Sequence, residues 1–190
     1  MLSGRTAVDR QECRELHQRC GNRNEALRVL STEGFVRMQP NWGTFVAELS
    51  PDEAEHLLEV RARLEPLAAY RAATNRSDSQ LAELRGILAE GLAAAHAKNH
   101  GLASILNGRF HEALAEASGN TTLVDLIRLL RDKINWVYSA EVERRAVDSW
   151  NEHAELVEAI SVGNAKRAEQ IIGLHIDRAT DALQYRQAPR

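Results

Sequence analysis

Asn107 and His111 stand four residues apart in "NGRFHEALAEASGN", so on an α-helix they fall within about 40° of each other. Further along, His153 lies 11 residues before Asn164 and His175 lies 11 after it. If Gly163-Asn164 turns an antiparallel helix pair, the two imidazoles sit at the same height and face one another. Three neutral imidazole nitrogens with an amide oxygen form a ligand set for Zn²⁺, Ni²⁺ or a related divalent ion, leaving positions for water or a carboxylate. The opposing reading stays open at this point, because a histidine on a helix is more often a surface or hydrogen-bonded residue than a ligand. His17, His56, His96 and His100 have no matching spacing and are read in that second way.

A metal with open positions also raises the alternative of a metalloenzyme with an activated water. Glu152 adjoins His153, but neighbouring residues diverge by about 100° around a helix, so it supplies no evident general base. The expectation is a protein that is not an enzyme.

Positioning these residues requires helices, and from Ser50 onward the pattern is helical almost throughout. Ser50-Pro51-Asp52-Glu53 combines an N-cap, a proline at the first helical position and a glutamate three residues after the cap. The helix that follows carries Leu57, Leu58, Val60, Leu64, Leu67 and Ala68 on its expected apolar side and ends near Asn75-Arg76-Ser77-Asp78. Five more helices are predicted at about 78–98, 101–117, 121–139, 142–161 and 165–186. They are separated by Asn99-His100-Gly101, Ser118-Gly119-Asn120, Ser139-Ala140 and Gly163-Asn164. Short connections imply an antiparallel six-helix bundle.

The first 50 residues read differently. Leu16, Leu27 and Leu30 sit in helix-like segments separated by Gly21-Asn22, and Gly34 is placed to cap the second. "FVRMQ" and "GTFVAEL" are β-rich runs joined by Pro40-Asn41-Trp42, the pattern of a hairpin. Two short helices followed by a two-stranded wing outline a winged helix-turn-helix. The expected fold is mainly α, with a small, partial winged helix-turn-helix over 1–48 and an all-α bundle over 49–190.

Composition narrows the classes further. A chain of 190 residues with 44% hydrophobic residues can bury a core, and a net charge of -3 excludes a general polycation. The charge is uneven: residues 1–50 hold seven arginines, no lysine and six acids, a net +1, and the remainder holds 17 basic and 21 acidic residues, a net -4. That asymmetry points the N-terminal segment toward phosphate. Cys13 and Cys20 lack a second pair for a zinc motif and read as reduced thiols. No apolar run is long enough to span a bilayer and the N-terminus lacks the apolar stretch of a signal peptide, so a cytoplasmic location without membrane partners is expected.

With these residues in view, "NEALRVLSTEGFVRMQPNWGTFVAELSPDEAEHLLEVRARLEPLAAYRAA" resembles the domain junction of the GntR family of bacterial transcription regulators, in the FadR-type subgroup with an FCD effector domain. "FHEALAEASGN" and "NEHAELVEAISVGNAKRAEQIIGLHI" resemble two signature stretches of that domain, and the resemblance runs from about residue 12 to residue 180. It implies that Asn107, His111, His153 and His175 take the metal-ligand positions, with Asn107 where the family most often has Asp. The ion implied is divalent, Zn²⁺ first, with Ni²⁺ or Mn²⁺ as alternatives. The resemblance also implies a small carboxylate-type effector beside the metal and a homodimer. Arg61 is similar in position to a cavity-lining arginine that pairs with such a carboxylate; its alternative is a surface ion pair with Glu65 at i+4.

The DNA-binding half departs from the family pattern. The resemblance implies a full helix before Leu2-Ser3-Gly4-Arg5 and a longer spacer than the four positions between Gly21 and Glu25, with Asn24 where an arginine is usual. Arg14 matches a position that contacts phosphate or base, and Gly43 a wing position where backbone approaches the groove. Arg19, Arg23, Arg28 and Arg37 are phosphate candidates by charge alone, each equally readable as a solvated surface residue. The expected function is a ligand-responsive regulator of double-stranded operator DNA, its affinity weakened by the short recognition helix. The alternative is a metabolite-sensing or interaction module that has lost specific DNA binding.

Overall fold

The computed structural model describes the backbone of residues 17–32, 34–47, 51–138 and 142–187, and side chains within these ranges except at 17–22, 51, 131–132, 135–138, 142–144 and 183–187. The chain divides into two compact units, one ending at Leu49 and the other beginning at Ser50.

In the first unit, α1 (His17–Thr32) is followed by β1 (Val36–Gln39) and β2 (Gly43–Val46). The helix ends as its glycine predicts. Gly34 has φ +82°, its N–H reaches Ser31 O at 3.2 Å, and the Phe35 N–H reaches Leu30 O at 2.8 Å, the paired bonds of a Schellman cap. The strands are antiparallel with Val36 opposite Val46 and Gln39 opposite Gly43. Between them, Pro40 and Asn41 (φ +65°) turn the chain, closed by a Trp42 N–H to Gln39 O bond of 3.1 Å.

One expectation is corrected here. Gly21-Asn22 does not separate two helices; α1 runs through both residues. A glycine inside a helix costs about 1 kcal/mol relative to alanine, which a 16-residue element tolerates. Leu16 and Cys13 lie outside the described residues, as do the Cys20 and His17 side chains.

The second unit is an antiparallel bundle of α2 (Pro51–Asn75), α3 (Asp78–His96), α4 (His100–Ala117), α5 (Thr121–Tyr138), α6 (Val142–Ser161) and α7 (Ala165–Gln187). All six fall within two residues of their predicted ends. Three of the described turns share one design. Lys98, Gly119 and Gly163 adopt φ of +54°, +67° and +73°, and each is followed by an asparagine whose side chain accepts the N–H three residues on, at Leu102, Leu123 and Arg167, each at 3.2 Å. A left-handed residue closes one helix and an N-cap opens the next, so the chain reverses within a few residues. At α3 the same task falls to Ser77, which forms a capping box with Gln80.

Helix α2 packs on α4, α5, α6 and α7, and α3 packs on α4 and α6. Phe110, Leu84, Leu114, Leu156, Ile160 and Ile172 are fully buried in one continuous core, each contributing roughly 1.5–3 kcal/mol by burial. Trp150 seats its indole against Gly91, where a Cβ would overlap the ring. Arg76, near the end of α2, donates to the terminal carbonyls of Ile160 (3.2 Å) and Ser161 (2.7 Å) on α6.

The apolar side expected for α2 is only partly the buried side. Leu58 and Ala68 are buried, Leu57 and Leu64 are half-buried, and Val60 and Leu67 face outward at 46% and 45% exposure. The buried stripe instead runs Ala54, Leu58, Arg61, Glu65, Ala68 and Ala72. Two charged residues occupy the core-facing line because, as shown next, they answer to a polar centre rather than to the hydrophobic one.

Candidate metal and effector centre

Helix α4 presents His111, α6 presents His153 and α7 presents His175. One ring nitrogen from each lies within 4.8 Å of the others. The ring centroids are 5.1 Å apart for His111 and His153, 5.4 Å for His111 and His175, and 4.6 Å for His153 and His175. His153 and His175 meet across the Gly163-Asn164 turn because both are the same number of residues from it. All three are buried.

Each imidazole has a different set of partners. The His175 Nδ1–H donates to Glu152 Oε2 at 2.7 Å, and the His111 Nδ1–H donates to Glu65 Oε2 at 2.9 Å. A carboxylate can only accept, so both rings carry their proton on Nδ1 and turn the Nε2 lone pair the other way. At His111 that lone pair accepts from Arg61 Nη2 at 2.9 Å. His153 stacks on Phe110, with centroids 4.2 Å apart, and meets Trp150 edge-on at 4.9 Å. Neither of its nitrogens has a hydrogen-bond partner among the described residues.

The electrostatics favour neutral rings. Burial pushes His153 well below the usual imidazole range, helped by repulsion from His175, His111 and Arg61. Burial likewise lowers His111 against the opposing pull of Glu65, and takes His175 down to about 4 even though Glu152 pulls it up. The two carboxyls move down as well. Burial alone would raise Glu65, but Arg61 and His111 together hold it far below the usual carboxylate range. Burial also works against Glu152, yet the bonds from His175 and Arg178, with the charge of Arg145, keep it at about 2. Near neutral pH the centre therefore holds three uncharged imidazoles backed by two ionised carboxylates, the protonation states that metal ligation requires.

Arg61 and Glu65 form the i,i+4 pair anticipated from sequence, with Nε to Oε1 at 2.7 Å, but it is a buried pair: both residues are 2% exposed. Beside the histidines lies a cavity of about 50 Å³, whose wall includes Arg61, Asn107, His175, Trp150, Arg145 and Ser149. That volume is room for the centres of waters, so it admits several waters or a small organic ligand. Asn107 thus shares a wall with Arg61 and His175, one turn before His111 on α4.

Sequence reasoning missed Glu152 as a partner of His175, Arg145 as a wall residue, and the burial of Glu65. The pairing rule that joined His153 to His175 carries Glu152 too, since Glu152 is 12 residues before Asn164 and His175 is 11 after. Glu65 and His111 are joined only by the packing of α2 on α4, for which no local signal exists. Among the other histidines, His56 and His96 are exposed, and the His96 ring bonds Leu92 O at 2.8 Å. His100 is half-buried, and its Nδ1 has no hydrogen-bond partner among the described residues.

In the first unit, Arg23, Arg28 and Arg37 are exposed. Gly43 has φ +106°, so its backbone conformation by itself calls for glycine. Arg14 and the side chain of Arg19 lie outside the described residues. No described helix is long and apolar enough to cross a membrane.

Residues 56–178 match the family model of the FCD domain. The HTH-type transcriptional regulator LutR of Bacillus subtilis (strain 168) is 27% identical over 183 residues, spanning 84% of this chain and 82% of LutR. Among solved structures, the Streptococcus agalactiae GntR superposes with a TM-score of 0.60 at 25% identity, covering 83% of this chain and 80% of that one. E. coli McbR/YncC shares the fold at a TM-score of 0.75 and 20% identity, covering 87% of this chain and 84% of that one. The FCD match takes in most of the bundle and all three clustered histidines, and the chain belongs to the FCD-domain family as a transcriptional regulator of the GntR type rather than an enzyme.

Proposed function

We propose that the bundle over residues 49–190 senses a small carboxylate-type metabolite beside a divalent metal, and that the unit over residues 1–48 carries the response to operator DNA in a cytoplasmic homodimer. The observation that carries the sensing half is His153: a fully buried imidazole with two unpartnered nitrogens, facing two others whose tautomers are fixed by carboxylates. A buried polar group without a partner costs roughly 1–3 kcal/mol, and an ion among the three rings would remove that cost for the nitrogen that binds it.

His111, His153 and His175 would hold the ion through nitrogen, with Asn107 as the oxygen donor nearby. Three imidazoles favour Zn²⁺, with Ni²⁺ and Mn²⁺ as alternatives. When bound, the ion supplies positive charge against which an effector carboxylate can be fixed. Ligation through His111 Nε2 would compete with the bond from Arg61 Nη2, and Arg61 already lines the cavity in which its guanidinium could pair with a carboxylate. Support for DNA binding comes from the exposed Arg23, Arg28 and Arg37, from the hairpin with Gly43, and from relatives named as HTH-type regulators. Arg14 and Arg19 complete the proposed phosphate-facing set.

The test is thermal unfolding of the full chain with a chelator and with added Zn²⁺, repeated across a panel of small organic acids. Zn²⁺ should raise the midpoint of the wild type and leave His111→Ala unchanged. Equal shifts in both proteins, or none in either, would remove the metal from the reading. An electrophoretic shift on the chain's own upstream DNA at stated salt tests the other half, and the absence of a specific complex would reduce it to a sensor alone.

A further inference from the structure

The cavity beside the histidines has two guanidiniums in its wall, Arg61 and Arg145, and no carboxylate among the described residues that line it. Each guanidinium is fixed from behind in the same way. Arg61 Nε donates to Glu65 Oε1 at 2.7 Å and Arg145 Nη2 donates to Glu152 Oε1 at 2.9 Å. The second oxygen of each carboxylate takes the Nδ1–H of a histidine, His111 for Glu65 and His175 for Glu152. The centre is therefore built from two Arg–Glu–His relays, one across α2 and α4 and the other across α6 and α7.

The relays differ in charge. Glu65 balances Arg61, whereas the single charge of Glu152 is divided among His175, Arg145 and Arg178. Arg145 thus shares its partner's single charge with another guanidinium, and no described acid faces it from the cavity wall. A divalent ion at the histidines would add two more positive charges, more than one carboxylate offsets.

We infer that the effector is a small dicarboxylate, with one carboxylate engaged at Arg61 on the metal side and the second at Arg145. The inference rests on the carboxylate-sensing reading above and assigns Arg145 as the residue that separates two-acid from one-acid ligands. Because the guanidinium is already oriented by Glu152, little side-chain freedom is lost when the second carboxylate binds.

The experiment is a calorimetric titration of the full chain in the presence of Zn²⁺, with malonate, succinate and glutarate as dicarboxylate probes and butyrate as the one-acid probe. In the wild type the best dicarboxylate should bind at least about tenfold more tightly than butyrate. Arg145→Gln should bring that dicarboxylate to within about twofold of butyrate, and Arg145→Lys should retain part of the preference. Far-UV circular dichroism and the unfolding midpoint establish that both variants are folded, and the wild-type comparison stands without them. Butyrate binding as tightly as every dicarboxylate overturns the inference and leaves carboxylate sensing intact. So does an Arg145→Gln variant that weakens both ligand types equally. Binding of none of the four acids overturns carboxylate sensing, and the dicarboxylate assignment with it.

Discussion

Replacing His153 by leucine should make the metal-free protein more stable and at the same time abolish its response to metal. His153 is 0% exposed, and both ring nitrogens lack hydrogen-bond partners among the described residues. Two such groups cost roughly 1–3 kcal/mol each, and leucine removes both. Against that stand the lost stacking on Phe110, seen at 4.2 Å, and an imperfect fit, together worth about 1–3 kcal/mol. The net expectation is a gain of about 1–3 kcal/mol, or roughly 3–10 °C in unfolding midpoint for a unit of this size. In Zn²⁺ the order reverses, because an ion at 1,000 times its dissociation constant stabilises the wild type by about 4 kcal/mol and has no complete site in the variant. Urea and thermal unfolding of both proteins, with chelator and with Zn²⁺, give the four numbers needed. A His153→Leu protein that is less stable than wild type in chelator would refute the argument, since it would mean that the imidazole is at ease in its pocket. Equal stabilisation of both by Zn²⁺ would refute it equally.

Three further outcomes follow from neighbouring features. Glu152→Gln removes the carboxylate that fixes His175 and should weaken Zn²⁺ binding by about 10- to 100-fold in a competition titration, with secondary structure intact. Stability of the metal-free protein should fall on acidification. The folded state holds His175 near 4 against an ordinary 6.5, so the unfolded chain binds more protons between these values; the contribution is fully present above pH 6.5 and is lost toward pH 4. Glu152, at about 2 against 4.5, extends the loss below pH 4.5, and denaturant midpoints measured from pH 8 to pH 3 should trace both stages. Gly91→Ala places a methyl group against the buried Trp150 indole; the overlap should outweigh the helix-propensity gain for a net loss of about 1–2 kcal/mol, measured by denaturation followed through tryptophan fluorescence.

The bundle was legible in the sequence because its turns are written in residue types: Gly119-Asn120 and Gly163-Asn164 each pair a left-handed closer with an N-cap. From those turns the meeting of His153 and His175 followed by counting. Which face of α2 is buried was not legible, since Val60 and Leu67 match the apolar period as well as Leu58 does and only the position of the polar centre decides among them. Glu65 meeting His111 belongs to the same class, because the two are joined by tertiary packing between helices with no shared turn. Gly21-Asn22 misled for the opposite reason: its residue types signal a break that the surrounding helix overrides.

The first and last helices of the bundle, α2 and α7, lie side by side although 89 residues of chain separate them. Such pairings form late, after the chain has closed its long loops. His175 is on α7, so the three histidines come together only when that last helix docks. An ion held by all three would therefore act on a contact expected late in folding. It should lengthen the lifetime of the native bundle, by slowing unfolding, and leave the speed of folding as it was.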